Sequence, residues 1–216
     1  MLRRKSNWSW TLVLIAINVI FFLLVMFASV FISAEQFNAL MSYIALTPSL
    51  ALARPWTIIT SMFMHAPGFT HIFVNMMSLV FIGSFLEKLV GKKRFILVYT
   101  LAGILGSAFY ILSFYFLGMP DVPAVGASGA IFGIGGMLAI LTPKMPVYVM
   151  FIPIAMPLWL GIALSLGVMW LLSIAVGLPI GNFAHLGGLV AGLLAGMILR
   201  MRHPHKARVI SQYFSR

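Results

Sequence analysis

MPVYVMFIPIAMPLWLGIALSLGVMWLLSIAVGLPIGNFAHLGGLVAGLLAGMIL, residues 145–199, contains no Asp, Glu, Lys or Arg. An α-helix needs about 20 apolar residues to cross the hydrocarbon core of a bilayer, so this stretch has room for two spans. Working outward, further charge-free gaps lie between Lys5 and Glu35, Arg54 and Glu87, Arg94 and Asp121, and Asp121 and Lys144. Each has room for one span. With 62% hydrophobic residues, 8% charged residues and a mean hydropathy of +1.09, the chain lacks the polar surface of a water-soluble globule. The expected fold is all-α: a polytopic membrane protein, a bundle of six transmembrane helices. The spans fall at about 10–32, 71–89, 95–116, 128–141, 153–176 and 182–201, in one domain over 1–216.

Orientation follows from the basic residues. With the N-terminus cytoplasmic, Arg3, Arg4, Lys5, Lys88, Lys92, Lys93, Arg94, Lys144, Arg200, Arg202, Lys206, Arg208 and Arg216 all lie inside, leaving only Arg54 outside. The positive-inside rule therefore predicts N-in, C-in. The net charge of +11 is read as this bias, with contacts to anionic lipid, and not as a nucleic-acid surface. The apolar run after Lys5 is too long for a cleaved signal peptide and reads as the first span. Residues 33–70 form the one long external connection. Their mixed composition predicts short helices in the outer interface.

The residue inventory narrows the chemistry. Without cysteine there are no thiol nucleophiles or thiolate metal sites. A single aspartate, Asp121, rules out a paired-aspartate protease, and no HExxH segment offers a zinc site. Serines, threonines and five histidines remain. His203 and His205 sit in the basic tail, whereas His65, His71 and His185 fall at or near the outer ends of spans. An ionisable side chain at membrane depth is expensive, and either packs helices or marks a functional site.

Depth favours the second reading. Counting back to the inner charges Lys144, Arg200 and Lys88, residues Ser128, His185 and His71 all lie roughly 22–26 Å above the inner face. Asn75, one turn below His71 on the same face, lies about 20 Å up. Four polar groups on three helices thus share one layer. Gly188, Gly192 and Gly196 form a stripe beside His185, and Gly129, Gly133 and Gly136 follow Ser128. Small residues at such spacing let helix backbones approach closely. Close approach of these two spans would bring Ser128 within reach of His185, the arrangement a serine–base pair needs.

Three motifs together resemble the rhomboid family of intramembrane serine proteases. They are His71-Ile-Phe-Val-Asn75, with His65 upstream and Glu87 at the inner end of that span; Gly126-Ala-Ser128-Gly129, similar to the family's GxSG; and Ala184-His185-Leu-Gly-Gly188, similar to its AHxxG. The resemblance implies Ser128 as nucleophile and His185 as general base, a dyad without aspartate. It further implies an oxyanion hole from His71, Asn75 and the Ser128 backbone N–H, with Gly126 and Gly129 leaving space for a substrate backbone. No cofactor or metal is implied. The implied substrates are single-span membrane proteins, met in the cell membrane at a site open toward the outside. One departure concerns the external loop, where the family often carries Trp-Arg; here Trp56 precedes Thr57 and Arg54 comes before it. The alternative function is a catalytically inactive relative acting as a membrane chaperone or adaptor, against which the intact Ser128 and His185 argue. A small transporter would call for a repeat or a mid-membrane charge, and the sequence has neither.

Overall fold

The computed structural model describes residues 8–149, 152–178 and 180–214. Arg3, Arg4, Lys5 and Arg216, on which the expected orientation partly rests, lie outside the described residues. The described chain is mostly helical: α1 (Trp10–Phe31), α2 (Ala34–Ile44), α3 (Thr57–Thr60), α4 (Phe69–Ser78), α5 (Ser84–Val90), α6 (Lys92–Leu117), α7 (Ser128–Leu141), α8 (Leu158–Val176), α9 (Asn182–Arg202) and α10 (Pro204–Tyr213). Two short strands, β1 (Pro146–Val147) and β2 (Met156–Pro157), pair antiparallel before α8.

Among the described residues, five helical stretches are long and apolar enough to cross a membrane: Trp10–Phe31, Phe69–Val90, Lys92–Leu117, Leu158–Val176 and Asn182–Arg202. The second is α4 and α5 joined by a π turn, Leu79–Gly83. The remaining apolar helix, α7, has 14 residues, about 21 Å of rise.

The span expected from Pro153 begins instead at Leu158. Residues before a proline avoid the α region, and Pro153 and Pro157 impose this on Ile152 and Met156. The chain there forms the β1–β2 hairpin, with Pro146 opposite Pro157.

The core is α7 held between α6 and α9. A Cβ on Gly188 would collide with the Gly129 carbonyl, and one on Gly192 with the Gly133 carbonyl. On the other flank of α9, a Cβ on Gly187 would stand 2.7 Å from the Leu105 carbonyl of α6. Backbone-to-backbone contact therefore replaces side-chain interdigitation along this seam, as the glycine stripes predict. Ile134, Leu138 and Phe95 are fully buried beside it.

Glu87 ties one end of the second span to the start of the first. Its carboxylate accepts hydrogen bonds from Ser9 Oγ (2.6 Å), Trp10 N (2.8 Å), Thr11 N (2.9 Å) and Thr11 Oγ1 (2.7 Å). The first N–H groups of a helix have no intrahelical acceptor, and negative charge is favoured there. A carboxylate from a different span thus caps α1.

Candidate active site

Ser128 is the first residue of α7, and the extended segment before it is clamped at several points. Leu46 and Ala124 exchange backbone hydrogen bonds of 3.1 and 2.8 Å. Gly126 N donates to the Ser61 carbonyl at 2.9 Å, and Tyr110 Oη donates to the Val122 carbonyl at 2.9 Å. Asp121 accepts from the Ser49 backbone and hydroxyl. The connection 33–70 is therefore the brace for the approach to Ser128.

That connection is itself fastened by the residues of the altered Trp-Arg motif. Arg54 donates to the carbonyl and hydroxyl of Ser42 and lies over the Tyr43 ring. The Trp56 indole donates to the Tyr43 carbonyl at 2.9 Å. Both side chains dock the loop on α2 despite their changed order.

Ser128 Oγ stands 2.8 Å from His185 Nε2. His185 is buried on α9, and its ring stacks on Phe132 with centroids 4.8 Å apart and planes 26° apart. His185 Nδ1 has no hydrogen-bond partner among the described residues, so the stacked ring is what fixes the imidazole plane. The sequence reading passed over Phe132. Its one signal is its position a turn below Ser128, on the same face of α7.

Gly126 has φ +126°, a conformation side chains rarely adopt. A Cβ there would meet His71 Nε2 at 3.0 Å and Ser128 Oγ at 3.6 Å. The missing side chain leaves an open position between the hydroxyl and the ring nitrogen. His71 Nδ1 accepts from the Ala66 N–H at 3.3 Å, so the proton of the neutral ring sits on Nε2, facing that position. Asn75, 4% exposed, uses one amide proton on the His71 carbonyl at 2.8 Å and keeps a second donor.

The four residues expected in one layer all line a single cavity of about 470 Å³. Gly129 lines this cavity as well, and it also packs on α9: a Cβ there would lie 3.3 Å from the Ala184 carbonyl. Gly188 packs against Gly129. His65 is 2% exposed, with its ring 5.2 Å from that of His71. Burial, with His71 beside it, holds the His65 pKa down to about 4.

The Rhomboid domain family model matches residues 52–202. RHOMBOID-like protein 4 of Arabidopsis thaliana is 37% identical over 151 residues, covering 69% of this chain and 35% of that protein. Putative rhomboid protease YdcA of Bacillus subtilis (strain 168) is 44% identical over 82 residues, covering 38% of this chain and 39% of that protein. Inactive RHOMBOID-like protein 8 of Arabidopsis thaliana is 30% identical over 170 residues, covering 74% of this chain and 45% of that protein. The chain spans less than half the length of these curated relatives. It belongs to the rhomboid family, as a helical membrane protein.

Proposed function

We propose that this rhomboid-family chain is an intramembrane serine protease, hydrolysing peptide bonds in or near the transmembrane segment of single-span membrane proteins. The observation that carries the reading is the 2.8 Å contact of Ser128 Oγ with His185 Nε2, at a helix N-terminus opening on a cavity. As Oγ attacks the scissile carbonyl, Nε2 takes the hydroxyl proton. The oxyanion forms in the space that Gly126 leaves. There it meets His71 Nε2–H, the second amide proton of Asn75 and the Ser128 N–H, which as a first helical N–H has no acceptor of its own. The tetrahedral intermediate collapses when the imidazolium returns the proton to the leaving amine. Water then enters, gives a proton to Nε2, and hydrolyses the acyl-enzyme by the same path in reverse order. No metal or cofactor takes part.

In this reading α7 is a span too, fourth in chain order, and brings the total to six. Its 14 residues place Ser128 below the outer surface, in a recess closed to lipid by α6 and α9. Residues 1–216 form one rhomboid-type domain of the cell membrane, with both ends cytoplasmic and the cavity open to the outside. The basic inner ends, Lys88 to Arg94 and Arg200 to Arg208, support that orientation.

The test is fluorophosphonate labelling and cleavage of a model single-span substrate in liposomes, with melting as a control for folding. Ser128→Ala and His185→Ala abolish both signals in folded protein. Asn75→Ala lowers kcat about 10²–10³-fold and leaves residual cleavage, as one donor among several. An unlabelled, folded wild type would replace this reading with the inactive adaptor; one relative is named as inactive.

A further inference from the structure

A second cavity lies on the far side of the α6–α9 pair and shares no lining residue with the cavity around Ser128. It is a groove of about 570 Å³ running between the flanks of α6 and α9, with Met137 of α7 at its base. Half-buried Ala191 and Ala195 make the floor, and exposed Leu101 and Leu194 stand at the rim. From Arg94 to Ala108 its α6 wall rises about 21 Å, more than the roughly 15 Å of one leaflet's hydrocarbon. The groove can therefore hold an extended acyl chain along its length.

One end of this apolar groove is cationic. Arg94, Arg202 and His203 line it together. Arg202 suits the C-terminal turn of α9, where the helix dipole favours positive charge. Arg94 is placed against the dipole. It belongs to Lys92-Lys93-Arg94 at the start of α6, whose first turn carries no acidic residue and whose N-cap, Gly91, offers no side chain. Of the described carboxylates, Glu87 caps α1, Asp121 holds Ser49, and Glu35 lies in the first turn of α2. None of these is an ion-pair partner of Arg94 or Arg202, whose exposed guanidinium groups are open to a ligand's negative charge.

The geometry points to a binding site for one anionic phospholipid, its acyl chain in the α6–α9 groove and its phosphate held by Arg94, Arg202 and His203. Basic pockets between membrane helices are suited to phosphate headgroups, and the arginine fork matches phosphate oxygens. The reading is independent of any protease activity.

The experiment is native mass spectrometry of the full chain from nanodiscs of phosphatidylcholine containing phosphatidylglycerol. The wild type retains one phosphatidylglycerol per chain in preference to phosphatidylcholine. Arg94→Gln with Arg202→Gln, at exposed positions, lowers that retention at least tenfold with melting unchanged. Arg200→Gln with Arg208→Gln removes equal charge outside the groove and leaves retention intact. Ala195→Phe blocks the floor and also releases the lipid. Equal loss in the two arginine pairs would show diffuse attraction and overturn the site. So would displacement of the lipid by inorganic phosphate alone, or a second copy of the chain seated on the groove in place of lipid.

Discussion

α7 and α8 follow one another in the chain and are both apolar, yet α7 buries eleven of its 14 residues and α8 only Leu158 and Gly161 of its 19. Those two lie in the first turns of α8, where a Cβ on Gly161 would meet Val147 of the β1–β2 hairpin at 2.9 Å. Further along, Val168, Leu171 and Ile174 are exposed, and Gly167 has nothing within 4 Å of a Cβ position. α7 is enclosed by protein; α8 is anchored in its first turns and by Trp170 against Phe183 of α9, and otherwise exposes much of its surface. Met169, in the second half of α8, and Leu178, just beyond its end, nevertheless border the cavity that holds Ser128. Ser128 thus lies on the most constrained helix and one wall of its cavity on the least.

Substitutions can break that contrast. Gly192→Leu drives a side chain into the Gly133 backbone and should prevent stable folding, read as loss of a cooperative melt. If the variant melts like wild type, the α7–α9 seam is not the rigid element. Leu158→Ala should cost about 2–3 kcal/mol by emptying the anchor of α8. Fluorophosphonate labelling of Ser128 should nonetheless persist, because the reagent needs only α7 and α9. Parallel loss of both signals would mean that α8 also supports the serine.

On the constrained side, His65 is buried beside His71 and held neutral, with its pKa near 4 against an unfolded value near 6.5. The unfolded chain therefore binds the proton first as pH falls. Stability contributed by neutral His65 is complete above about pH 6.5 and declines toward about pH 4. Melting temperatures across that window should fall for wild type and fall less for His65→Gln; identical slopes would remove His65 from the account. The smallest effect is expected at the free helix. Gly167→Ala meets nothing and should leave the melt unchanged or raise stability by up to about 1 kcal/mol, from helix propensity.

Sequence reading reached the glycine seam and the polar layer because both obey helical periodicity: Gly188 and Gly192 recur every four residues, and His71 and Asn75 share a face. It reached the extent of α6 and α9 because basic residues mark the start of one and the end of the other. What it missed depends on contacts without a period. Glu87 caps Thr11 across 76 residues of chain, and no local pattern announces such a partner. Phe132 reads as one apolar residue among many until α9 sets His185 against it. The start of α8 was misjudged because hydropathy is blind to backbone, whereas Pro153 and Pro157 hold the approach extended. The brace from residues 33–70 onto Ala124 was invisible for the same reason as the cap.

The π turn at Leu79–Gly83 sets the phase of an entire span. Asn75 and Glu87 are twelve positions apart, which in an unbroken α-helix would point them about 120° from each other. A π turn absorbs one extra residue, and the angle closes to about 20°. Both groups can then turn inward at once, Asn75 toward Ser128 and Glu87 toward α1, and both are buried, at 4% and 7% exposure. Straightening the helix at its full length would keep every side chain named here, yet swing one end of the span by about 100°. Either Asn75 or Glu87 would then be turned out toward the acyl chains.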